Sequence, residues 1–183
     1  MKELSLNILD VAENSVKAGA SLTQILLTEE DQVLTLEIVD DGCGMSEDAV
    51  KSVIDPFYTT RTTRKVGMGI PLLKLACEQT EGGLSIESVT EEQNPTEHGT
   101  HVTATLNMDH IDFTPLGDVS STILTLIQGH PDTDFLFVHQ KNGSMVKLDT
   151  RELREVLEDV PLNSYDVMEW IGEYLREQYE AMC

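Results

Sequence analysis

The sequence is poor in positive charge: its 183 residues include 12 Lys and Arg against 33 Asp and Glu, a formal net charge of −21. A surface this negative repels phosphate backbones and anionic lipid, which argues against a protein that binds nucleic acid or a membrane surface. Hydrophobic residues make up 40% of the chain and charged residues 25%, as in an ordinary folded protein. We therefore expect a globular protein with no nucleic-acid partner and no membrane partner.

Cysteines and long hydrophobic runs are also scarce. The three cysteines, Cys43, Cys77 and Cys183, are far apart and lack a CxxC spacing, which argues against a disulfide framework and against a zinc site. No apolar run approaches the length of about 18–20 residues that spans a membrane. The first residues also lack the apolar segment of a secretory signal. Together these absences predict a cytoplasmic protein.

Hydrophobic periodicity divides the chain into two parts. Residues 1–108 predict a mixed helix-and-strand domain, with an amphipathic first helix, four strands and a helix after each of two glycine-rich loops. Ser46 is expected to cap the helix that follows the first of these loops. Pro71 is expected at the first position of the helix that follows the second.

Residues 109–183 predict a smaller, acidic α/β annex with no recognisable motif. It contains a helix, a hairpin that turns at Asn142-Gly143, and two further helices, the last of which Ser164 is expected to cap. The apolar and aromatic residues of this last helix (Trp170, Tyr174 and Leu175) are expected to belong to the core.

The first glycine-rich loop, residues 40–45, begins with a carboxylate at the end of a strand. Gly42 and Gly44 allow the backbone to pass close beneath a flat ligand or a phosphate, and Asp40 can accept a hydrogen bond from an amino group. Taken alone, this motif is better explained as a tight turn after a strand.

The second loop, Gly67-Met68-Gly69, leads into a helix whose free amides and dipole favour an anion. Residues 1–110 contain seven Lys and Arg, and three of them lie immediately before this loop, at Arg61, Arg64 and Lys65. Because such a basic cluster is unusual in so acidic a chain, the segment is suited to bind polyphosphate.

Three polar residues of the first helix, Asp10, Asn14 and Lys17, lie within about 60° of one another at 100° per residue. A solvated polar face is the ordinary interpretation of this stripe. In the functional interpretation Asn14 is a ligand for a divalent metal, Lys17 contacts a phosphate and Asp10 accepts a proton. Mg²⁺ takes few protein oxygens when phosphates and waters complete its shell.

In this order the motifs resemble those of the GHKL superfamily: gyrase-type, chaperone and mismatch-repair ATPases and the catalytic domains of histidine kinases. The four motifs are Asp10-x-x-x-Asn14, Asp40-x-Gly42-x-Gly44, Gly67-x-Gly69 and Gly99-Thr100. The resemblance covers roughly residues 3–107 and implies an α+β fold, a two-layer α/β sandwich of the Bergerat type that binds ATP beneath a lid. Glu13-Asn14-Ser15 resembles the mismatch-repair ATPases, but the Phe57-containing segment 55–61 is more similar to sensor histidine kinases.

The resemblance also implies a role for each motif. Asn14 would hold Mg²⁺, and Asp40 would bind the adenine amino group with Met45 packed near the base and Thr100 in support. The remaining candidates for ATP binding are Lys17, Gly42, Gly44, Gly67 and Gly69, with Arg61, Arg64 and Lys65 on the lid.

Two departures from the family pattern bear on the activity. Members that activate water or a serine usually carry Glu four residues before the Asn, where this chain has the shorter Asp10. A complete histidine kinase also carries a helical hairpin with an acceptor histidine before this domain, whereas here the first helix begins at about residue 3. We therefore expect no autophosphorylation in cis on a standard acceptor.

The sequence thus supports a stand-alone ATP-dependent protein kinase, similar to the anti-sigma serine kinases of the superfamily, which transfers the γ-phosphoryl group of Mg-ATP to a partner protein. The alternative is a regulatory module without chemistry, whose lid is ordered by ATP and then grips a partner. A weak ATPase that drives formation of a homodimer is a third option.

Overall fold

The computed structural model describes residues 3–55 and 68–182. Four of the expected nucleotide contacts (Arg61, Arg64, Lys65 and Gly67) lie outside these residues. In chain order the elements are α1 (Leu4–Lys17), β1 (Leu22–Glu30), β2 (Val33–Asp40), α2 (Glu47–Ile54), α3 (Gly69–Gln79), β3 (Gly83–Val89), β4 (Gly99–Asn107), α4 (Val119–Gly129), β5 (Asp134–Lys141), β6 (Ser144–Asp149), α5 (Thr150–Leu157) and α6 (Tyr165–Met182).

The strands form one six-stranded sheet in the order β3-β4-β2-β1-β5-β6. β1 and β5 are parallel, with Ile25 opposite Phe137, while the other neighbouring pairs are antiparallel. β5 and β6 belong to the segment after residue 108, so this segment extends the sheet of the first. The division of the chain at residue 108 stays a prediction.

Alternate residues of the strands are buried on one face of the sheet. The buried positions include Ile25, Ile38, Ala104 and Phe137, each at most 1% exposed, as the period of two in a half-buried strand requires. α1 and α3 pack on this side, and α4 joins α1 to α6. The α+β, two-layer arrangement expected from the sequence is thereby confirmed. None of the helices in the described parts is long and apolar enough to cross a membrane.

The helix caps agree with the sequence at α2 and differ at α3 and α6. The Ser46 hydroxyl accepts from the Ala49 amide at 3.2 Å, as expected of a cap. α3 begins at Gly69 rather than at Pro71. Pro71 is tolerated as the third residue of the helix because the first four N–H groups of a helix have no partner within it. Ser164 precedes α6, but its hydroxyl is buried without a hydrogen-bond partner and does not cap the helix.

The expected core role of the aromatic residues on α6 is correct only in part. Leu175 is fully buried, but Trp170 is 52% exposed and Tyr174 is half-buried. The buried face of α6 is formed by Val167, Ile171 and Leu175, at a spacing of four residues. Trp170 lies to one side of this stripe and faces solvent.

Candidate functional site

Asp40 ends β2 and is held by three donors from separate elements. The Ser15 hydroxyl of α1 donates to its Oδ2 at 2.6 Å. The amides of Gly42 and Thr100 donate to its Oδ1 at 2.9 and 3.2 Å. Since a carboxylate has about four lone-pair positions, the three bonds fix its orientation and leave acceptor capacity on a half-buried group.

The loop after Asp40 lies between α1 and the segment that joins β3 to β4. The Cys43 amide donates to the Ala18 carbonyl, and the Glu91 amide donates to the Cys43 carbonyl, both at 2.9 Å. Gly44 has φ +76°, and a Cβ there would lie 1.9 Å from the Val89 carbonyl oxygen. The second glycine of the motif is therefore required by a backbone contact as well as by its conformation.

Gly42 is also a position of close approach. A Cβ at Gly42 would lie 2.9 Å from the Cβ and the carbonyl oxygen of Ala18. The first glycine of the motif thus lets the strand-end loop touch Ala18, the residue that follows α1, which brings Asp40 and the end of α1 together.

Ser88 of β3 connects the other parts of this region and was missed by the sequence analysis. Its Oγ accepts from the Met45 amide at 2.7 Å, donates to the Gly99 carbonyl at 3.1 Å and lies 2.8 Å from Thr100 Oγ1. Since Ser88 has a single proton, all three bonds form together only when Thr100 donates to Ser88. The lone pairs of the Thr100 hydroxyl then remain free to accept.

Asp41, next to Asp40, has a separate structural role. It accepts from the Ser21 hydroxyl and from the amides of Ser21 and Leu22, the latter at 2.7 and 3.0 Å. Burial acts to raise the pKa of Asp41, but these hydrogen bonds together hold it below its usual value. Asp41 therefore fixes the start of β1 and is not a candidate ligand contact.

The polar stripe of α1 lies beside the start of α3. Asp10 and Asn14 are half-buried, and Lys17 is exposed. Gly69, the first residue of α3, is so close to α1 that a Cβ there would lie 2.7 Å from Asp10 Cβ. The structure thus brings Asp10 and Gly69 together by packing. It links Gly42 and Thr100 to Asp40 by hydrogen bonds, and Met45 is connected to Thr100 through Ser88.

The neighbours of these residues have other partners. Glu13, beside Asn14, has its Oε2 2.8 Å from His130 Nε2 at the end of α4. His98 lies against the Gly42 carbonyl, whereas His101 Nε2 is 2.9 Å from Glu37 Oε1. The two histidines therefore stabilise different parts of the sheet end and do not form a pair.

More than half of the chain matches a known protein family. Residues 2–110 match the family described as histidine kinase-, DNA gyrase B-, and HSP90-like ATPase. The chain belongs to this family. Asp10, Asn14, Gly69, Asp40 and the residues that donate to Asp40 all lie within the matched range.

Three curated proteins, named as a kinase, a sensor protein and a histidine-protein kinase, are similar to about half of the chain. The chain is 33% identical over 89 residues to sporulation kinase E of Bacillus subtilis, covering 48% of this chain and 12% of that protein. It is 30% identical over 96 residues to the sensor protein KdpD of Clostridium acetobutylicum, covering 50% and 10%. The signal transduction histidine-protein kinase AtoS of Escherichia coli is 27% identical over 89 residues, covering 49% and 14%. The chain thus spans about a tenth of the length of these relatives.

Solved structures extend the likeness in fold beyond the matched family range. The ATPase domain of Aquifex aeolicus MutL complexed with ADP has a TM-score of 0.55 and 13% identity, and the match covers 86% of this chain and 70% of that one. The N-terminal domain of a DNA repair protein also has a TM-score of 0.55, with 16% identity and coverage of 81% and 53%. At these identities the comparison shows the fold alone.

Proposed function

We propose that the protein binds Mg-ATP at Asp40, the 42–45 loop and the start of α3, and that it transfers the γ-phosphoryl group to a partner protein. ATP binding is supported mainly by the hydrogen bonds to Asp40. Three donors fix the orientation of its carboxylate, which still has lone pairs available to accept from a ligand. This arrangement presents hydrogen-bond acceptors to a ligand. Adenine offers donors in return, at its exocyclic amino group.

The phosphate end of the proposed site is supported by α3 and α1. The first amides of α3, at Gly69 and Ile70, have no partner within the helix and lie at the positive end of its dipole. Lys17 is exposed on the stripe of α1 that also contains Asn14. Together with Arg61, Arg64, Lys65 and Gly67, which are outside the described residues, these groups would neutralise the phosphates.

The residues present fit a magnesium ion that is held mainly by phosphates and water. Within residues 3–55 and 68–182 no group of three or more His, Cys, Asp and Glu side chains is arranged to hold a metal. A single amide oxygen at Asn14 is therefore the expected protein ligand, as Mg²⁺ commonly takes one or two. When bound, the ion would neutralise charge on the transferred phosphoryl group.

In the proposed transfer, the acceptor oxygen forms a bond to the γ-phosphorus as the bond from that phosphorus to the β-γ bridging oxygen breaks. ADP leaves with the bridging oxygen, and Asp10 takes the proton of the acceptor hydroxyl. Asp10 is half-buried and lies against the start of α3, where the phosphates are expected. Catalysis otherwise rests on positioning and charge neutralisation.

A regulatory module without chemistry is the second candidate. It is favoured by the shorter side chain of Asp10 at the position where family members that activate water or serine usually carry Glu. In this account ATP binding changes the affinity for a partner and the γ-phosphate stays on the nucleotide. A weak ATPase that drives dimer formation would instead release inorganic phosphate.

The fate of the γ-phosphate separates these functions. Purified protein is incubated with Mg-ATP labelled at the γ-position, with and without a lysate of the host cell. A kinase places the label on a protein, whereas an ATPase releases it as phosphate and a binding module leaves it on ATP. Label confined to intact, bound ATP would contradict the proposed transfer.

Replacing Ser88 by Ala is expected to reduce the preference for ATP over GTP. Without Ser88, the Thr100 hydroxyl rotates freely and can donate to the carbonyl oxygen of guanine, while the Met45 amide loses its partner. Thr100 is then no longer held as an acceptor for the adenine amino group. The loss of this one hydrogen bond, about 1 kcal/mol, corresponds to roughly a fivefold weaker Kd for ATP. Competition of ATP and GTP against a fluorescent nucleotide measures both affinities.

Two variants of the same strand serve as controls for Ser88. Ser88→Thr keeps the hydroxyl and is expected to retain the preference for ATP. Ser85→Ala makes the same chemical change at an exposed position of β3 and is expected to leave both affinities unchanged. An unaltered ratio of affinities in folded Ser88→Ala would contradict the role of Ser88.

A further inference from the structure

One exposed face of α6 combines carboxylates with the indole of Trp170. Asp166, Glu169, Trp170 and Glu173 line a shallow depression of about 330 Å³, and we call this the α6 surface. Their spacing of three and four residues places them on one side of the helix. The opposite side, at Val167, Ile171 and Leu175, is buried in the core.

The indole ring of the α6 surface is held in place while it faces solvent. Trp170 stacks on Tyr174, with 5.2 Å between ring centroids and an interplanar angle of 13°. The Tyr174 hydroxyl in turn donates to the Lys147 carbonyl of β6 at 2.8 Å. One face of the indole is therefore covered and fixed, yet Trp170 is still 52% exposed. Exposed, well-ordered Trp is enriched where proteins bind one another.

The charge of the α6 surface indicates what it binds. Three of its four residues are acidic and none is basic. In α6 as a whole, Arg176 is the single basic residue among 18, and it pairs with Glu173 at 3.1 Å and Glu180 at 3.2 Å. Asp166 and Glu169 therefore present negative charge beside the open face of Trp170, which attracts a cation.

We propose that the α6 surface binds an arginine side chain from a basic segment of a partner protein. The planar guanidinium can stack on the open face of Trp170 while its N–H groups donate to the carboxylates of Asp166 and Glu169. Lysine fulfils these requirements less well, because its ammonium is compact, strongly hydrated and not planar. None of these residues belongs to the proposed nucleotide site, so the inference does not rest on ATP binding.

The test uses Trp170 as its own reporter, since it is the one tryptophan in the sequence. The full chain is titrated with a short peptide of alternating arginine and serine, and with a lysine-serine peptide of equal length and charge. We expect a saturable change in tryptophan fluorescence with the arginine peptide, which binds roughly fivefold more tightly than the lysine peptide. Equal affinities for the two peptides, or no change in fluorescence, would overturn the proposal.

Variants distinguish this surface from the general acidity of the protein. By anisotropy of a dye-labelled arginine peptide, Asp166→Asn with Glu169→Gln is expected to weaken binding by about three- to tenfold. Trp170→Ala is expected to abolish the preference for arginine over lysine. Glu155→Gln with Asp159→Asn removes two exposed acids outside the α6 surface and is the matched control. If the control weakens binding as much as the paired substitution, the attraction is general and the proposal fails.

Discussion

Replacing Asp10 by Ala is expected to lower phosphoryl transfer by about 10²- to 10⁴-fold, the usual contribution of a general base. The affinity for ATP is expected to change by no more than about twofold, because the proposed role of Asp10 concerns the acceptor hydroxyl. Transfer is measured with γ-labelled ATP and the partner protein, and affinity by calorimetry. Normal transfer in a folded Asp10→Ala protein would remove Asp10 from the mechanism.

Glu13 provides a matched control for Asp10 on the same helix. Its carboxylate is directed to His130 at 2.8 Å, so Glu13→Gln is expected to keep both transfer and ATP binding. Asp10→Glu tests whether the Asp10 carboxylate is too short to contact the acceptor hydroxyl, because it introduces the longer residue that water- or serine-activating relatives usually carry. If transfer is limited by that length, Asp10→Glu increases it.

Replacing Asp40 by Asn is expected to weaken ATP binding by roughly 10- to 100-fold, because a hydrogen bond to a charged group contributes about 1.5–3 kcal/mol. The amide also brings an NH₂ group into a place where Ser15, Gly42 and Thr100 all donate. When the amide oxygen stays with Gly42 and Thr100, the Ser15 hydroxyl can turn to accept from the NH₂ group, so the acceptors of Oδ2 are replaced by donors that cannot pair with the adenine amino group. Calorimetric titration with Mg-ATP measures the change.

Asp41→Asn makes the same substitution one position further along the chain. Asp41 accepts from Ser21 and Leu22 at the start of β1, so its loss affects the anchoring of that strand. The affinity for ATP is expected to change by about twofold at most. An equal loss of affinity in the two variants would show that the effect comes from the stability of the loop and not from a contact with adenine.

The parts of the fold that could be predicted from the sequence depend on local patterns. β2 and β4 show alternating hydrophobicity, and Ser46 precedes α2 with the expected capping bond. The glycines of the 40–45 loop stood out because they follow a strand-end carboxylate. The structure adds the reason for them, which is close contact of Gly42 with Ala18 and of Gly44 with Val89.

The parts that could not be predicted depend on pairing between distant residues. The sequence indicated a hairpin at Asn142-Gly143, but nothing in it showed that β5 lies parallel to β1, with Ile25 opposite Phe137. Ser88 was missed for the same reason. Its importance comes from the register of β3 against β4, which places it opposite Thr100, and hydrophobic alternation does not define a register across an irregular connection.

The exposure of Trp170, which was expected in the core, is indicated by the spacing of the apolar residues in α6. Val167, Ile171 and Leu175 repeat every four residues and define one buried stripe. Trp170 precedes Ile171 by one position and is therefore about 100° from it on the helix. Its flanks, Glu169 and Glu173, are both exposed acids, so the helical pattern itself favours exposure over burial.

The central claim, a nucleotide site at Asp40 and the glycine loop, is tested most directly by amide chemical shifts of the ¹⁵N-labelled protein during titration with Mg-ATP. The account predicts saturable shifts at Gly42, Gly44 and Thr100. It also predicts little change at Gly143 in the hairpin between β5 and β6. No saturable shifts, or shifts confined to residues away from the end of β2, would contradict the account.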